Sequence, residues 1–385
     1  MKKVRLSSIA MVKAGGTPSR SNLSYWNGDI PWVKISDIQG KHVQTYEETI
    51  TEEGLKNSSA KLFSKGTILY TIFATLGRVG ILDFDATTNQ AIAGINILDE
   101  TIDCDYLYYF LRSQEKKVKA IGKGVAQQNI NLKILRDWLV PIRSKEEQTN
   151  IAGSLEKIEG AISAKNELLN SFDSLVKSRF NEMFGDPMDE KKWNSKFTKV
   201  VIFNPKKSEV KKDMEIEASF VPMEAIGTDG SFSIKKSGKI KDFYKGYTYF
   251  KDGDVIFAKI TPCFENGKIA IANHCTNKIG FGTTEFHVAR PIFGKTNAEW
   301  VMNLLRNDSL HTYASSKMTG SAGQKRIQTP FFEKLGVYLP PLELQNRFAD
   351  FVHLVDKSRF VVQKEIKDLQ ELLDSKMDEY FGGEE

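Results

Sequence analysis

The feature that most constrains the fold of this chain is a long amphipathic run that occurs twice. The first copy opens with QTNIAGSLEKI at Gln148 and continues to Gly185, and the second opens with QNRFADFVHLV at Gln345 and continues to Gly382. Both copies lack proline and close on FG. Two uninterrupted runs of this length predict two long helices of one kind.

Apolar residues in both runs recur at alternating spacings of four and three, which is the heptad pattern of a coiled coil. One such face cannot remain in water, so each helix is expected to pack against the other, in antiparallel orientation. Lys165 and Arg359 occupy seam positions, where they either enforce register or extend their charged ends to solvent. The predicted seam consists of Ile151, Leu155, Ile158, Leu169, Phe172, Val176, Phe348, Val352, Val355, Ile366, Leu369 and Leu373.

The segments that precede the helices also repeat. LFSKGTILYTIFATLGRVGIL (62–82) resembles YFKDGDVIFAKITPCFENGKIAI (249–271), and the glycine-rich GKGVAQQNI (122–130) resembles TGSAGQKRI (319–327). Short β-branched runs bounded by Gly, Asp and Asn predict mostly strands with a few small helices. The chain therefore reads as two copies of a β-rich segment followed by a helix, an arrangement expected to have a pseudo-twofold axis.

The predicted fold class is α+β, with two β-rich domains separated by two long helices that form an antiparallel coiled coil. The predicted boundaries are 1–144 and 185–341 for the β-rich domains, and 145–184 and 342–385 for the helices. About 38 residues at roughly 1.5 Å each make a helix about 57 Å long, so the helices are expected to act as a spacer.

Composition narrows the class of protein. A chain of 385 residues with 41% hydrophobic residues is globular and long enough for two or more domains. Its 3 cysteines are too few and too unevenly spaced for a disulfide framework or a zinc module. The N-terminus lacks an apolar signal region and no apolar stretch approaches membrane-spanning length, so a cytoplasmic protein without membrane contact is expected.

Charge is distributed unevenly between the predicted parts. The two β-rich domains carry net charges of +5 and +7, whereas the helices carry −2 and −5. This pattern favours a polyanionic ligand for the domains and a protein partner for the helices, although a similar excess occurs in proteins that bind no nucleic acid.

The sequence lacks the motifs of the enzymes that act on DNA. The only Pro-Pro pair, Pro340 and Pro341, follows Leu339 and so does not form the Asn/Asp-Pro-Pro-aromatic loop that holds a flipped base. No phosphate-binding Gly-x4-Gly-Lys-Ser/Thr loop occurs, and the five histidines show no metal-ligand spacing. We therefore predict a non-catalytic chain with no metal site.

Three stretches give the chain a family resemblance. GGTPSRSNLSYWNGDIPWVKISDI (15–38) resembles the opening of a target recognition domain, and the stretch 140–185 with EEQ and a final FG resembles the central conserved region of the specificity subunits of type I restriction-modification systems. LPPLELQNRF (339–348) resembles the same junction in the second half. The second half has FNPKKSEV (203–210) and FVPMEAIG (220–227) in place of a GGTPS…YW counterpart, and the central junction has RSKEEQ where the family more often has a proline pair.

The resemblance implies a non-catalytic reader of double-stranded DNA. Each recognition domain would read one half of a bipartite, asymmetric target, and the helices would set the gap and dock two methyltransferase (M) subunits. The resemblance implies no cofactor for this chain, because S-adenosylmethionine would belong to the M subunits and ATP to restriction (R) subunits that join them.

Residues suited to phosphates and base edges lie in the loops of both β-rich domains. Each of them also suits ordinary turn chemistry, while Trp26 and Trp32 are expected to be core anchors. In the first domain the candidates are Thr17, Ser19, Arg20, Lys34, Ser36, Arg78, Lys123, Gln127, Gln128 and Asn129. In the second they are Lys259, Thr261, Lys268, Ser321, Gln324, Lys325 and Arg326.

A protein-interaction scaffold without DNA binding is the alternative from a different class. It predicts no salt-dependent affinity for DNA.

Overall fold

The structure is a computed structural model that describes residues 2–115, 118, 130–321 and 323–382. Contacts between residues group the chain into two compact units, the first made of 1–165 and 365–385 and the second of 166–364. Each unit contains one β-rich segment, one half of the first long helix and one half of the second.

The helices and strands follow the predicted order of a β-rich segment and then a long helix, twice. The helices are α1 (Leu6–Ile9), α2 (Glu52–Lys56), α3 (Cys104–Ser113), α4 (Leu132–Arg136), α5 (Lys145–Phe184), α6 (Phe197–Val200), α7 (Ile240–Tyr244), α8 (Ala298–Leu305), α9 (Asp308–Ser316), α10 (Thr329–Lys334) and α11 (Leu342–Phe381). The strands of the first segment are β1 (Lys2–Arg5), β2 (Ala10–Ala14), β3 (Trp26–Val33), β4 (His42–Val43), β5 (Glu48–Ile50), β6 (Ile68–Thr71), β7 (Val79–Leu82), β8 (Thr87–Thr88), β9 (Ile92–Ile97) and β10 (Leu139–Ile142). Those of the second are β11 (Ser195–Lys196), β12 (Val201–Phe203), β13 (Glu217–Val221), β14 (Lys236–Lys239), β15 (Thr248–Lys251), β16 (Val255–Ala258), β17 (Ile269–Ile271), β18 (Ile279–Gly282), β19 (Phe286–Pro291) and β20 (Gly336–Val337).

The two β-rich segments share most of their strand order. In the first segment the sheets run β2-β9-β6-β7-β4 and β5-β3-β8, and in the second they run β12-β19-β16-β17 and β14-β13-β18-β15. A two-stranded pair closes each segment, β1 with β10 and β11 with β20. The parallel pair of β3 with β8 likewise recurs as the parallel pair of β13 with β18. The internal repeat therefore extends to the connections of nearly every strand.

The central strands show why these sequences form sheets with two covered faces. All four residues of β6 (ILYT) and all four of β16 (VIFA) are buried. A continuous apolar run, rich in β-branched and aromatic residues, is the pattern expected of a strand buried on both faces. These two strands form the centre of each segment.

The shared strand order supplies the counterpart that the second half lacks in sequence. Strand β12 pairs with β19 as β2 pairs with β9, and β13 takes the place of β3. FNPKKSEV begins at the end of β12, and FVPMEAIG begins within β13. The amino-acid sequence does not show that β12 and β13 correspond to β2 and β3, because the correspondence lies in backbone pairing and not in a shared Trp-containing motif.

The two long helices pack against each other within each unit, and they do so in antiparallel orientation. In the first unit Leu155, near the start of α5, shares a core with Leu373 and Met377 near the end of α11. In the second unit Phe180, near the end of α5, contacts Phe348, near the start of α11, with ring centroids 5.5 Å apart. The predicted seam residues are all buried or partly buried, at Ile151, Leu155, Ile158, Leu169, Phe172, Val176, Phe348, Val352, Val355, Ile366, Leu369 and Leu373.

The two charged seam residues take part in ion pairs between the helices. In the first unit Lys165 Nζ lies 2.6 Å from a Glu365 oxygen, and in the second Arg359 lies 2.9 Å from an Asp173 oxygen. Each pair joins α5 to α11 at one level, so the charges support a single register of the two helices.

Across the described residues, no helix is long and apolar enough to cross a membrane. In the same part of the chain, no group of three or more His, Cys, Asp and Glu side chains is arranged to hold a metal ion.

Candidate DNA interface

The first candidate loop, Gly15–Ser21, is held against the sheet by two tryptophans. Trp32 Nε1 donates to Gly16 O at 3.0 Å, and Trp26 Nε1 donates to Ser19 O at 3.1 Å. The two rings meet edge to face at 5.1 Å and are buried, as expected for core anchors. A Cβ on Gly16 would lie 2.3 Å from the Ser59 backbone, so the loop approaches the stretch after α2 too closely for any larger residue.

Arg20 leaves this loop and folds back over the tryptophans. Its guanidinium lies 3.7 Å from the Trp26 ring centroid and 2.5 Å from a Glu48 oxygen. Glu48 also receives Lys34 Nζ at 3.0 Å, and Lys34 reaches Glu47 at 2.5 Å. Two sequence-predicted cations are thus brought together around one carboxylate.

The electrostatics of this cluster follow from its ion pairs. The Arg20 guanidinium, and then the Lys34 ammonium, hold the pKa of the Glu48 carboxyl below its usual range. Glu47 and Glu48 together raise the pKa of Lys34. Part of the positive charge of this cluster is therefore already compensated before any ligand arrives.

Arg78 and Lys268 occupy equivalent positions in the two segments, and both donate hydrogen bonds to backbone carbonyls. Arg78 donates to the carbonyls of Ile35 and Ile38, and Lys268 donates to the carbonyl of Met223 at 3.1 Å. These carbonyls lie in, or directly after, a single-turn helix that follows β3 in one segment and β13 in the other. Arg78 therefore joins the β6–β7 loop to this single-turn helix, and Lys268 does the same for the β16–β17 loop. These bonds leave fewer of their N–H groups available to a ligand.

The other candidates of the first segment lie close to this cluster or outside the described residues. Thr17 donates to Gln90, Ser19 pairs with Ser21 at 2.8 Å, and Ser36 bonds to Asp37 at 3.3 Å. Lys123, Gln127, Gln128 and Asn129 fall outside the residues that the structure describes. The residue that follows them, Ile130, donates its N–H to Ile72 O at 3.1 Å, just beyond the end of β6.

The second segment brings its candidates together through backbone pairing. Thr261 N donates to Lys325 O at 2.9 Å, and Ile327 N donates to Lys259 O at 2.9 Å. The second of these bonds is the counterpart of the bond from Ile130 to Ile72. The glycine-rich loop of the second segment therefore runs along the end of β16, and in the first segment Ile130 makes the equivalent bond at the end of β6.

An ion pair fixes the base of this second loop. Arg326 forms hydrogen bonds to both Glu285 oxygens, at 2.8 to 3.2 Å, and donates to Gln324 O at 3.0 Å. Arg326 holds the pKa of Glu285 below its usual range. At the tip, Ser321, Gln324 and Lys325 are exposed.

The acidic partners, Glu48 and Glu285, were not predicted from the sequence. They lie 28 residues from Arg20 and 41 residues from Arg326, in segments without a recognisable motif. A carboxylate is not a usual phosphate or base contact, so a search for DNA-binding residue types passes over both of them. Their role is visible only once the strands bring the loops together.

Comparison with known proteins gives this arrangement a family. The family model Methylase_S, the type I restriction modification DNA specificity domain, matches residues 1–171 and again 191–371. The specificity subunit of the type I restriction enzyme EcoAI from Escherichia coli is 45% identical over 168 residues, which cover 42% of this chain and 28% of that protein. A putative type I specificity subunit from Mycoplasma genitalium is 25% identical over 388 residues, covering 92% of this chain and 95% of that protein.

The fold has a relative among solved structures as well. A chain from a structure that addresses complex assembly and conformational transition of the type I R-M system has a TM-score of 0.64 at 16% identity, and the match covers 99% of this chain and 97% of that one. The match to the EcoAI subunit spans less than a third of that protein, so the family assignment rests on the double domain match. The chain belongs to the family of type I restriction modification DNA specificity domains, and it carries that domain twice.

Proposed function

We propose that this chain is the sequence-specific DNA-recognition subunit of a type I restriction-modification complex. Its β-rich segments, 1–144 and 185–341, would each read one half of a bipartite, asymmetric duplex target. The observation that carries the proposal is that one strand scaffold occurs twice, and that the loop between β6 and β7 recurs between β16 and β17 with different polar residues. Two copies of one scaffold with different loops suit two different half-sites.

The loop residues that suit base edges differ in kind from those that fasten the loops. Gln324 and Lys325 are exposed at the tip of a loop whose base is fixed by Arg326 and Glu285. Amide and ammonium groups on a fixed backbone are suited to directional hydrogen bonds in the major groove. Arg20, Lys34 and Arg326 would contact phosphates, exchanging carboxylate partners for DNA.

The long helices would set the spacing and dock the partners. Each helix is 40 residues, and their charge is net negative, in contrast to the positive β-rich segments. Two methyltransferase subunits, which bind S-adenosylmethionine, would dock on the helices, and ATP-dependent restriction subunits would join them. The chain itself would be non-catalytic, and the complex would act on DNA in the cytoplasm.

The test is to co-express the chain with the methyltransferase subunit encoded beside it and to map methylated bases in the host DNA by single-molecule sequencing. We expect one split motif with a fixed gap. A stable complex that produces no new methylated motif, together with no salt-dependent affinity of the chain for duplex DNA, would support the protein-interaction scaffold instead.

A further inference from the structure

Two buried glutamines occupy the same place in the two repeats. Gln148 is the fourth residue of α5 and Gln345 the fourth residue of α11, and their exposed fractions are 1% and 0%. Glutamine is rarely buried so completely, because its carboxamide needs several hydrogen-bond partners in the interior. Both side chains therefore need a structural explanation.

In the first unit, Gln148 joins three parts of the chain. Its Oε1 accepts from Asp103 N at 2.8 Å, and its Nε2 donates to Thr101 O at 3.0 Å and to Arg143 O at 3.0 Å. Asp103 caps the N-terminus of α3, and Arg143 lies between β10 and α5. One side chain thus connects the long helix to the turn before α3 and to the exit of the last strand.

In the second unit, Gln345 repeats the arrangement bond by bond. Its Oε1 accepts from Asn297 N at 3.1 Å, and its Nε2 donates to Lys295 O at 3.0 Å and to Pro340 O at 2.9 Å. Asn297 caps α8, the counterpart of α3, and Pro340 lies between β20 and α11. The loop sequences around the two glutamines differ, but the backbone groups they bind are equivalent.

These contacts constrain the direction in which each long helix leaves its β-rich segment. Three hydrogen bonds in two directions fix each carboxamide, and the glutamine side chain itself is buried, so water cannot easily take the place of its partners. A shift of the helix against the segment would break at least one of the three. Apolar packing at the same junction has no comparable directionality, since apolar contacts tolerate sliding.

We propose that Gln148 and Gln345 are positioning residues that fix the angle between each recognition domain and its helix, and so restrict the gap between half-sites that the complex accepts. The inference rests on the function proposed above and deepens it. The helices would supply the distance, and the two glutamines would keep that distance from varying.

The experiment uses the full chain with its methyltransferase subunits. Methylation rates are measured on duplexes that carry both half-sites at the native gap and at gaps one base pair shorter and longer. For Gln148→Met and Gln345→Met, we expect the preference for the native gap to fall about tenfold, which corresponds to roughly 1.4 kcal/mol. Discrimination against a duplex with one altered half-site should remain at the wild-type level, because the reading loops are unchanged.

Controls separate this effect from simple destabilisation. Gln370→Met replaces an exposed glutamine of α11 and should leave the gap preference unchanged. Should a methionine variant fail to fold, Gln148→Asn and Gln345→Asn, which retain a shortened carboxamide, are measured instead with the same expected direction. An unchanged gap preference in assembled variants would overturn the proposal. A wild-type complex that methylates no bipartite target would overturn the proposed function itself.

Discussion

The two β-rich segments share a strand order but hold their candidate loops by different physical means. In the first segment, two tryptophan N–H groups and the stacked Arg20 hold loop 15–21. In the second, strand-like pairing and the Arg326–Glu285 ion pair hold the loop 319–327. The two loops lie at different places in the repeat, and each is fixed by contacts that its own residues make.

The hydrophobic cores of the two segments also differ at one equivalent position. Thr67 and Asp254 occupy the equivalent position, directly after the glycine of the turn before β6 and before β16. Asp254 is 1% exposed and forms two hydrogen bonds with Arg290, at 2.6 and 2.8 Å. In the described part of the chain, the Thr67 hydroxyl makes no hydrogen bond. The second core therefore contains a buried ion pair where the first has only an unpaired hydroxyl.

The largest expected effect concerns the aromatic support of the first loop. Trp32→Ala should lower the free energy of unfolding of the first unit by about 3 to 5 kcal/mol, because it leaves a cavity and an unpaired Gly16 carbonyl. Hydrogen exchange of the strands of each unit, measured across a denaturant series, would localise the loss. The second unit should keep its wild-type protection.

Leu23→Ala is the matched control for this prediction. Leu23 is 81% exposed and lies within the same stretch, so its truncation should change the free energy by no more than about 0.5 kcal/mol. Equal losses in the two variants would show that the tryptophan pair does not support the loop.

The next largest effect concerns the buried ion pair. Asp254→Ala should destabilise the second unit by about 3 kcal/mol, since it leaves Arg290 largely buried with Glu209 as its remaining acidic partner. Thr67→Val, at the equivalent position, should be neutral or slightly stabilising, because it removes a hydroxyl that has no partner. Denaturant unfolding of the two variants tests the comparison directly, and a costly Thr67→Val would contradict it.

The long helices could be predicted from the sequence almost residue by residue. Heptad spacing is a local property, and the seam positions it selects, such as Leu155 and Val352, are buried. The strands β6 and β16 could also be predicted, because a strand buried on both faces has a continuous run of apolar residues. Sequence periodicity is sufficient to predict an element when the spacing of a residue alone decides whether it is buried.

The loops could not be predicted to the same depth, because their chemistry depends on residues that are distant in sequence. Arg78 and Lys268 were predicted as DNA contacts from residue type and loop position, and their bonds to backbone carbonyls could not be seen in the sequence. Their contact with DNA stays a prediction. The acidic partners Glu48 and Glu285 were not anticipated at all. Gln148 and Gln345 were visible as the first matched pair of the repeat, but their buried contacts were not.

A smaller expected effect is a pH dependence of stability in the second unit. His287 is buried, and this burial lowers its pKa from 6.5 to about 4. Asn204 donates to Nδ1 while Nε2 donates to Ile327 O, so the neutral ring is already satisfied and a second proton would face a donor. Because the folded-state pKa is depressed, the stability is complete above pH 6.5 and is lost as pH falls towards 4.

Between pH 6.5 and pH 5, this histidine should cost the second unit about 2 kcal/mol of unfolding free energy. The difference between wild type and His287→Gln, followed by urea unfolding across that range, isolates its contribution. A wild-type slope that His287→Gln does not reduce would contradict the assignment.

The smallest effect tests the acidic partners, and it follows from counting the cations that each one compensates. Glu48 binds both Arg20 and Lys34, whereas Glu285 binds Arg326. Glu48→Gln should therefore strengthen non-specific duplex binding by roughly threefold and steepen the dependence of log affinity on log salt by about 1 to 2. Glu285→Gln should steepen it by at most about 1.

Fluorescence anisotropy with a duplex that lacks the target, titrated at several salt concentrations, measures both slopes. Glu52→Gln, at the exposed start of α2 and with no ion pair to either cation among the described residues, is the matched control for charge alone. If Glu48→Gln and Glu52→Gln gave the same slope, Arg20 and Lys34 would not be phosphate contacts, and the loops of the first segment would bind DNA through other groups.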